Sequence, residues 1–148
     1  MNLFSALKIS ASGLSAERLR MDVISANVAN ANSTRTAEGG PYKRQVAILE
    51  ASSAKDADFR KILTDTANRP IHNGVRVSAV IEDNSPLKRV YDPKHPDAQA
   101  DGYVEYPNVD LMKEMVELIT ASRAYEANAT VMNTSKNMVL KTLEIGRG

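Results

Sequence analysis

Residues 109–145 read VDLMKEMVELITASRAYEANATVMNTSKNMVLKTLEI, with no glycine and no proline. Leu111, Met115, Leu118, Ser122, Tyr125, Ala129, Met132, Lys136, Val139 and Leu143 follow one another in alternating steps of four and three. Eight of those ten are apolar, which is the pattern of a coiled-coil seam rather than of a short globular helix. The stretch predicts one helix of about 55 Å at ~1.5 Å per residue. A domain of this size needs nothing so long across its own core, so the seam is expected to pack against something outside the fold.

The beginning of the chain carries a matching stripe. Leu3, Leu7, Leu14, Met21, Ile24 and Val28 lie on one series of the same type, interrupted at Ser10 and Glu17. A second long helix over residues 3–31 follows, and the two stripes can pair. Gly13 within it marks either a kink or a close helix crossing. From Val23 to Thr34 no residue is charged, and between Leu118 and Ser135 only Arg123 and Glu126 are. A helix with one face in water normally carries more charge there. The first band also fits an Asn-rich helix end fraying into a loop. The sharper reading, for both bands, is burial between neighbouring helices of a larger assembly.

Between the helices the chain changes character. Gly39-Gly40-Pro41 breaks the helix. Residues 42–49, 75–81, 87–91 and 103–106 read as short strands, with Val75–Ile81 alternating most clearly. Residues 52–73 are polar and without a clear period, which predicts a flexible loop or a single helical turn. Four short strands bury little. The expected fold is therefore mainly α with a small β insert, the long end helices pairing as an antiparallel coiled coil. It divides into an N-terminal helix (1–35), a β-rich insert (36–107) and a C-terminal helix (108–148).

Chemistry is conspicuous by what is missing. The 148 residues hold 19 basic and 18 acidic side chains, two histidines and no cysteine. That balance gives no case for nucleic acid, and thiolate sites and disulfides are excluded. No run of 18 apolar residues predicts a membrane span, and the start of the chain lacks the plan of a cleaved signal peptide. Asp92–Asp101 has scattered oxygen ligands but not the spacing of a calcium loop, so a solvated turn is expected and no metal or cofactor. No phosphate loop or hydrolase motif occurs, so no catalytic residue is nominated. Lys43-Arg44 and Lys88-Arg89 are expected on a solvated or subunit-facing edge. The N-x-S/T matches at Asn32, Asn128 and Asn133 are discounted as glycosylation sites, two of them lying on the C-terminal helix.

Several short runs resemble the bacterial flagellar axial proteins. They are ANVANAN at 26–32 (with Ser33-Thr34 where the family has one Thr), PYKR at 41–44, GYVEYPNVD at 102–110, EMV at 114–116, SRAYEAN at 122–128 and MNT at 132–134. The similarity covers nearly the whole chain, least over 52–73. Length and the Tyr103–Asp110 run narrow it to the proximal-rod branch. The resemblance implies a structural subunit that polymerises through its end helices into a helical tube, which spans the periplasm, transmits torque and passes export substrates. It implies export by the flagellar type III apparatus without a cleaved signal. Implied partners are other rod proteins, further copies of the chain and basal-body components below the rod. Subunit contacts are then expected at Leu3, Leu7, Leu14, Met21, Ile24, Asn27, Val28, Asn30, Leu111, Met115, Leu118, Tyr125, Met132, Val139 and Leu143. A coiled-coil adaptor forming a closed dimer, and another rod or hook protein of the same family, are the alternatives.

Overall fold

A computed structural model of the chain describes residues 3–37, 39–52 and 74–146. Two long helices enclose four short strands in sequence. Helix α1 spans Leu3–Ala29, β1 Gln45–Ala51, β2 Val75–Glu82, β3 Lys88–Tyr91, β4 Tyr103–Tyr106 and α2 Leu111–Ile145. The mainly α composition with a small β insert is as the sequence predicts. The proposed loop over 52–73 lies, apart from Ser52, outside the described residues.

Local chemistry sets the helix ends. Pro107 closes β4, and Asp110 in extended conformation then caps α2, its carboxylate accepting from Met112 N and Lys113 N. That cap starts the helix two residues after Val109. Helix α1 stops where Asn30 donates its side-chain amide to Ala26 O at 2.9 Å. Asn30 Oδ1 in turn accepts from Ser33 Oγ at 3.1 Å. The uncharged tail thus ends the helix through amide and hydroxyl bonds, while its Val23, Ile24 and Asn27 are buried.

The strands form two separate antiparallel pairs. In one, β1 runs against β2 from Gln45↔Glu82 to Ala51↔Val75, with a bulge between Ile48 and Leu49. In the other, β3 pairs with β4 from Lys88↔Tyr106 to Tyr91↔Tyr103. Arg89 lies over the Tyr103 ring at 4.9 Å from its centroid and pairs with Asp101. Thr34 Oγ1 donates to Asp97 Oδ2 at 2.8 Å, which ties the turn at 92–101 to the segment leaving α1. Among the described residues no cluster of side chains suits a metal ion, and no helix is long and apolar enough to cross a membrane.

The first hairpin lies along α1. At its β2 end Gly74 has φ +107°, and a Cβ there would stand 2.1 Å from Ser12 Oγ. That hydroxyl accepts from Val75 N at 3.1 Å, so only glycine lets the strand begin so close to the helix. Gly74→Ala is expected to cost about 2–3 kcal/mol through backbone strain and loss of this bond. The midpoint of urea unfolding compared with the parent chain measures it.

Helix α1 packs along α2 through small residues. Asn27 meets Glu114, and a Cβ on Gly13 would stand 3.0 Å from the Asn128 side chain. Gly13 therefore marks a close crossing, and α1 passes through it as one unbroken helix. Ser10 and Ala16 are buried on α1, and Ala121 and Ser135 on α2. Small side chains let the axes approach, and axial separation follows the residues at the contact. The most buried line of α2 is Glu114, Ala121 and Ser135, each one residue before a position of the apolar stripe. The apolar stripe of α2 lies beside this line, with Leu118, Met132 and Val139 half-buried and Leu111, Met115 and Leu143 exposed.

Candidate assembly site

The buried interior of the described residues holds nearly as many polar side chains as apolar ones: Ser10, Asn27, Arg44, Glu114 and Ser135 against Ala16, Val23, Ile24, Val104, Pro107 and Ala121. Three of the polar ones form a single node. Arg44, in the PYKR run just before β1, donates from Nε to Glu114 Oε1 at 2.6 Å. Its Nη2 donates to Glu117 Oε1 at 3.2 Å, and its Nη1 lies 3.5 Å from Asp83 Oδ2. One guanidinium thereby holds two acids of α2 and one from the end of β2. Glu114 is fully buried. An isolated carboxylate there would be prohibitive, so the ion pair and its hydrogen bonds are a condition of the fold.

Asn27 completes the node. Its Nδ2 donates to Glu114 Oε2 at 3.0 Å and to Gln45 O at 2.8 Å. Its Oδ1 accepts from Gln45 N at 2.9 Å and from Tyr42 OH at 3.0 Å. The carboxamide behaves as a strand residue, satisfying both backbone groups on the free edge of β1. β1 begins at Gln45 rather than at the expected Tyr42, because Tyr42 N is taken by Ser33 O and Arg44 N by Asn108 Oδ1. Burial, and then the negative charges of Glu114 and Glu82, push the Tyr42 phenol above its ordinary value, so it stays a donor. Burial draws Arg44 downward, but its bond to Glu114 and the charges of Glu114, Glu117 and Asp83 outweigh this and raise it. Asp83 is held below the usual carboxylate range, chiefly by the hydroxyl and backbone of Ser85, with Arg44 adding. Asn108 ties in the last connection, its Oδ1 accepting from Arg44 N at 2.8 Å and its Nδ2 donating to Asp83 O at 2.9 Å.

Asn27→Asp is nearly isosteric yet reverses half of these bonds. The new carboxylate would face Gln45 O and Glu114 without a proton to give. The expected cost is about 2–4 kcal/mol near neutral pH. Unfolding followed by circular dichroism at pH 7 and pH 5 checks it, and the deficit should shrink at the lower pH.

The residues expected at subunit contacts divide by exposure. Ile24 and Asn27 are buried within the chain. Leu7, Leu14, Met21, Val28, Asn30, Leu118, Met132 and Val139 are half-buried. Leu111, Met115, Tyr125 and Leu143 are exposed. The side chain of Leu3 lies outside the described residues. The outer face of α2 is more apolar than the expected stripe alone indicates, because Met112, Val116 and Ile119 are 72, 62 and 61% exposed. With Met115 they make a bulky patch over the first turns of the helix. A soluble monomer rarely leaves such a patch without a partner.

Arg44, Glu114, Glu117, Tyr42 and Asn108 are the structural residues that sequence reasoning did not single out by role. Arg44 corrects the expectation of a solvated or subunit-facing edge: it is 8% exposed. Lys43 does lie at the surface, paired with Glu82 at 3.2 Å. The one signal was that these residues fall in or beside the motif runs, PYKR, PNVD and EMV.

Comparison with known proteins places these features. The family described as "Flagella basal body rod protein" matches residues 7–35. The "Flagellar basal body rod FlgEFG protein C-terminal" family matches residues 100–145. The chain is 47% identical to the flagellar basal-body rod protein FlgC of Borreliella burgdorferi, covering all of both chains. It is 46% identical to FlgC of Bacillus subtilis, over 99% of this chain and all of the other. To FlgC of Salmonella typhimurium it is 40% identical, again over 99% and 100%.

Proposed function

The chain belongs to the family of FlgC flagellar basal-body rod proteins, and from that premise we propose that its two end helices pair as an antiparallel coiled coil which neighbouring subunits then cover. As a member of that family it is a structural subunit of the flagellar basal-body rod and not an enzyme. The observation that carries the proposal is that α2 has two kinds of face. Its small, polar line meets α1, while Met112, Met115, Val116 and Ile119 point outward.

Two unlike faces on one subunit suit contacts that do not close on themselves, and such contacts generate a helical tube. Burying each exposed Met, Val or Ile would contribute about 1.5–3 kcal/mol gross, offset in part by ordering and lost rigid-body freedom. The tube so built would transmit torque and pass export substrates. Residues 1–35 and 108–148 form the axial layer and residues 36–107 an outer insert. Other rod proteins, further copies of the chain and components beneath the rod are the partners, and delivery is by the flagellar export apparatus.

The experiment is to purify basal bodies from cells whose own FlgC is replaced by this chain carrying a tag in the insert. The chain should be found in the rod fraction and swimming restored. Recovery solely as a soluble species of fixed size would sink the reading.

A further inference from the structure

Helix α2 ends in a stretch that the described residues of α1 do not accompany. Asn27 lies beside Glu114 and Gly13 beside Asn128, so each step up α1 is one step down α2. That register brings Leu3, the first residue of α1, level with Met138. The last two turns of α2 run on past it. They are apolar on several sides: Leu140, Leu143 and Ile145 are 48, 60 and 81% exposed. Lys141 and Glu144 flank them as an ion pair at 3.5 Å.

At the opposite end of α2 the molecule is concave. A groove of about 530 Å³ opens between the end of α1, the β3–β4 hairpin and the first turn of α2. Val90, Tyr106, Pro107, Leu111 and Met112 line it together with Lys88 and Asp110, whose Oδ1 caps α2 and whose Oδ2 is left for a partner. Groove and protruding helix end thus each combine an apolar centre with one cation and one anion.

We propose that this groove receives the C-terminal helix end of an adjacent axial subunit, an amphipathic helix of the same chemistry as residues 139–145 here. The chain's own helix end cannot fill it, since the two lie ~50 Å apart along α2 at about 1.5 Å per residue. Charge complementarity favours this occupant over a purely apolar ligand. The Lys of an incoming helix can meet Asp110 while its Glu meets Lys88, which fixes the register of entry. The contact joins two different surfaces, as a growing rod requires. The inference rests on the rod reading and sharpens it by naming one contact.

Val90, or in a second variant Met112, is replaced by photoreactive benzoylphenylalanine in the full chain, and Glu50 on β1 serves as the comparison position. Basal bodies are purified, illuminated and digested, and adduct peptides are identified by mass spectrometry. The expected result is an adduct from the groove positions to the C-terminal helix peptide of an axial subunit, absent from the Glu50 variant. Incorporated chain with no groove adduct, or with an adduct to a β segment or to lipid, overturns the groove assignment and leaves the rod reading standing. Failure of the unmodified chain to enter basal bodies overturns both.

Discussion

Glu114→Ala should lower the free energy of unfolding by about 3–5 kcal/mol, the range for breaking a buried ion pair from one side. For a chain of this length that corresponds to a fall in Tm of roughly 10 °C. Two consequences add. Arg44 loses its 2.6 Å partner and keeps only Glu117 and the more distant Asp83. Asn27 Nδ2 loses the acceptor at 3.0 Å and retains Gln45 O alone. Thermal unfolding followed at 222 nm measures the change directly. Arg44→Ala should cost a similar amount, and the double substitution clearly less than the sum, because both singles delete the same interaction. A Glu114→Ala loss below about 1 kcal/mol would show that the node is incidental to stability.

The second large effect is on assembly and spares the monomer. In the Val116→Glu, Ile119→Glu double variant, two carboxylates replace exposed apolar side chains on the outer face of α2. Glu is a better helix former than Val or Ile, so helix content and Tm of the free chain should hold or rise slightly. If a neighbouring subunit covers that face, two unpaired charges must be desolvated, at about 4 kcal/mol or more together. That is roughly a thousandfold in association. Spreading in soft agar should be abolished and the chain missing from purified rods. Normal swimming by this variant, at wild-type expression, would remove the outer face of α2 from the assembly.

Both effects meet on one helix, on faces that serve different needs. The inner line of α2 is built for close approach, with Ala121 and Ser135 buried and Asn128 against Gly13. Its one bulky member, Glu114, is accommodated because Arg44 and Asn27 satisfy both carboxylate oxygens. The outer face keeps the large apolar residues. A subunit made in this way folds through size matching and a polar node, and holds its hydrophobic area for partners.

Periodicity was enough to determine the two long helices and the four short strands described between them. These are local properties, since an apolar repeat or a turn dipeptide is written in consecutive positions. Which face of each helix turns inward was decided by tertiary structure alone. The apolar stripe of α2 names Leu111, Met115 and Leu143 together with Leu118, Met132 and Val139, and only the fold separates the exposed three from the half-buried three, because approach distance, as at Gly13 against Asn128, depends on the side chains of both helices at once. The buried pair of Arg44 and Glu114 was equally hidden. Its partners lie 70 residues apart, and in sequence each reads as an ordinary surface charge. Only the fold brings them out of water together, and only together can they stay there.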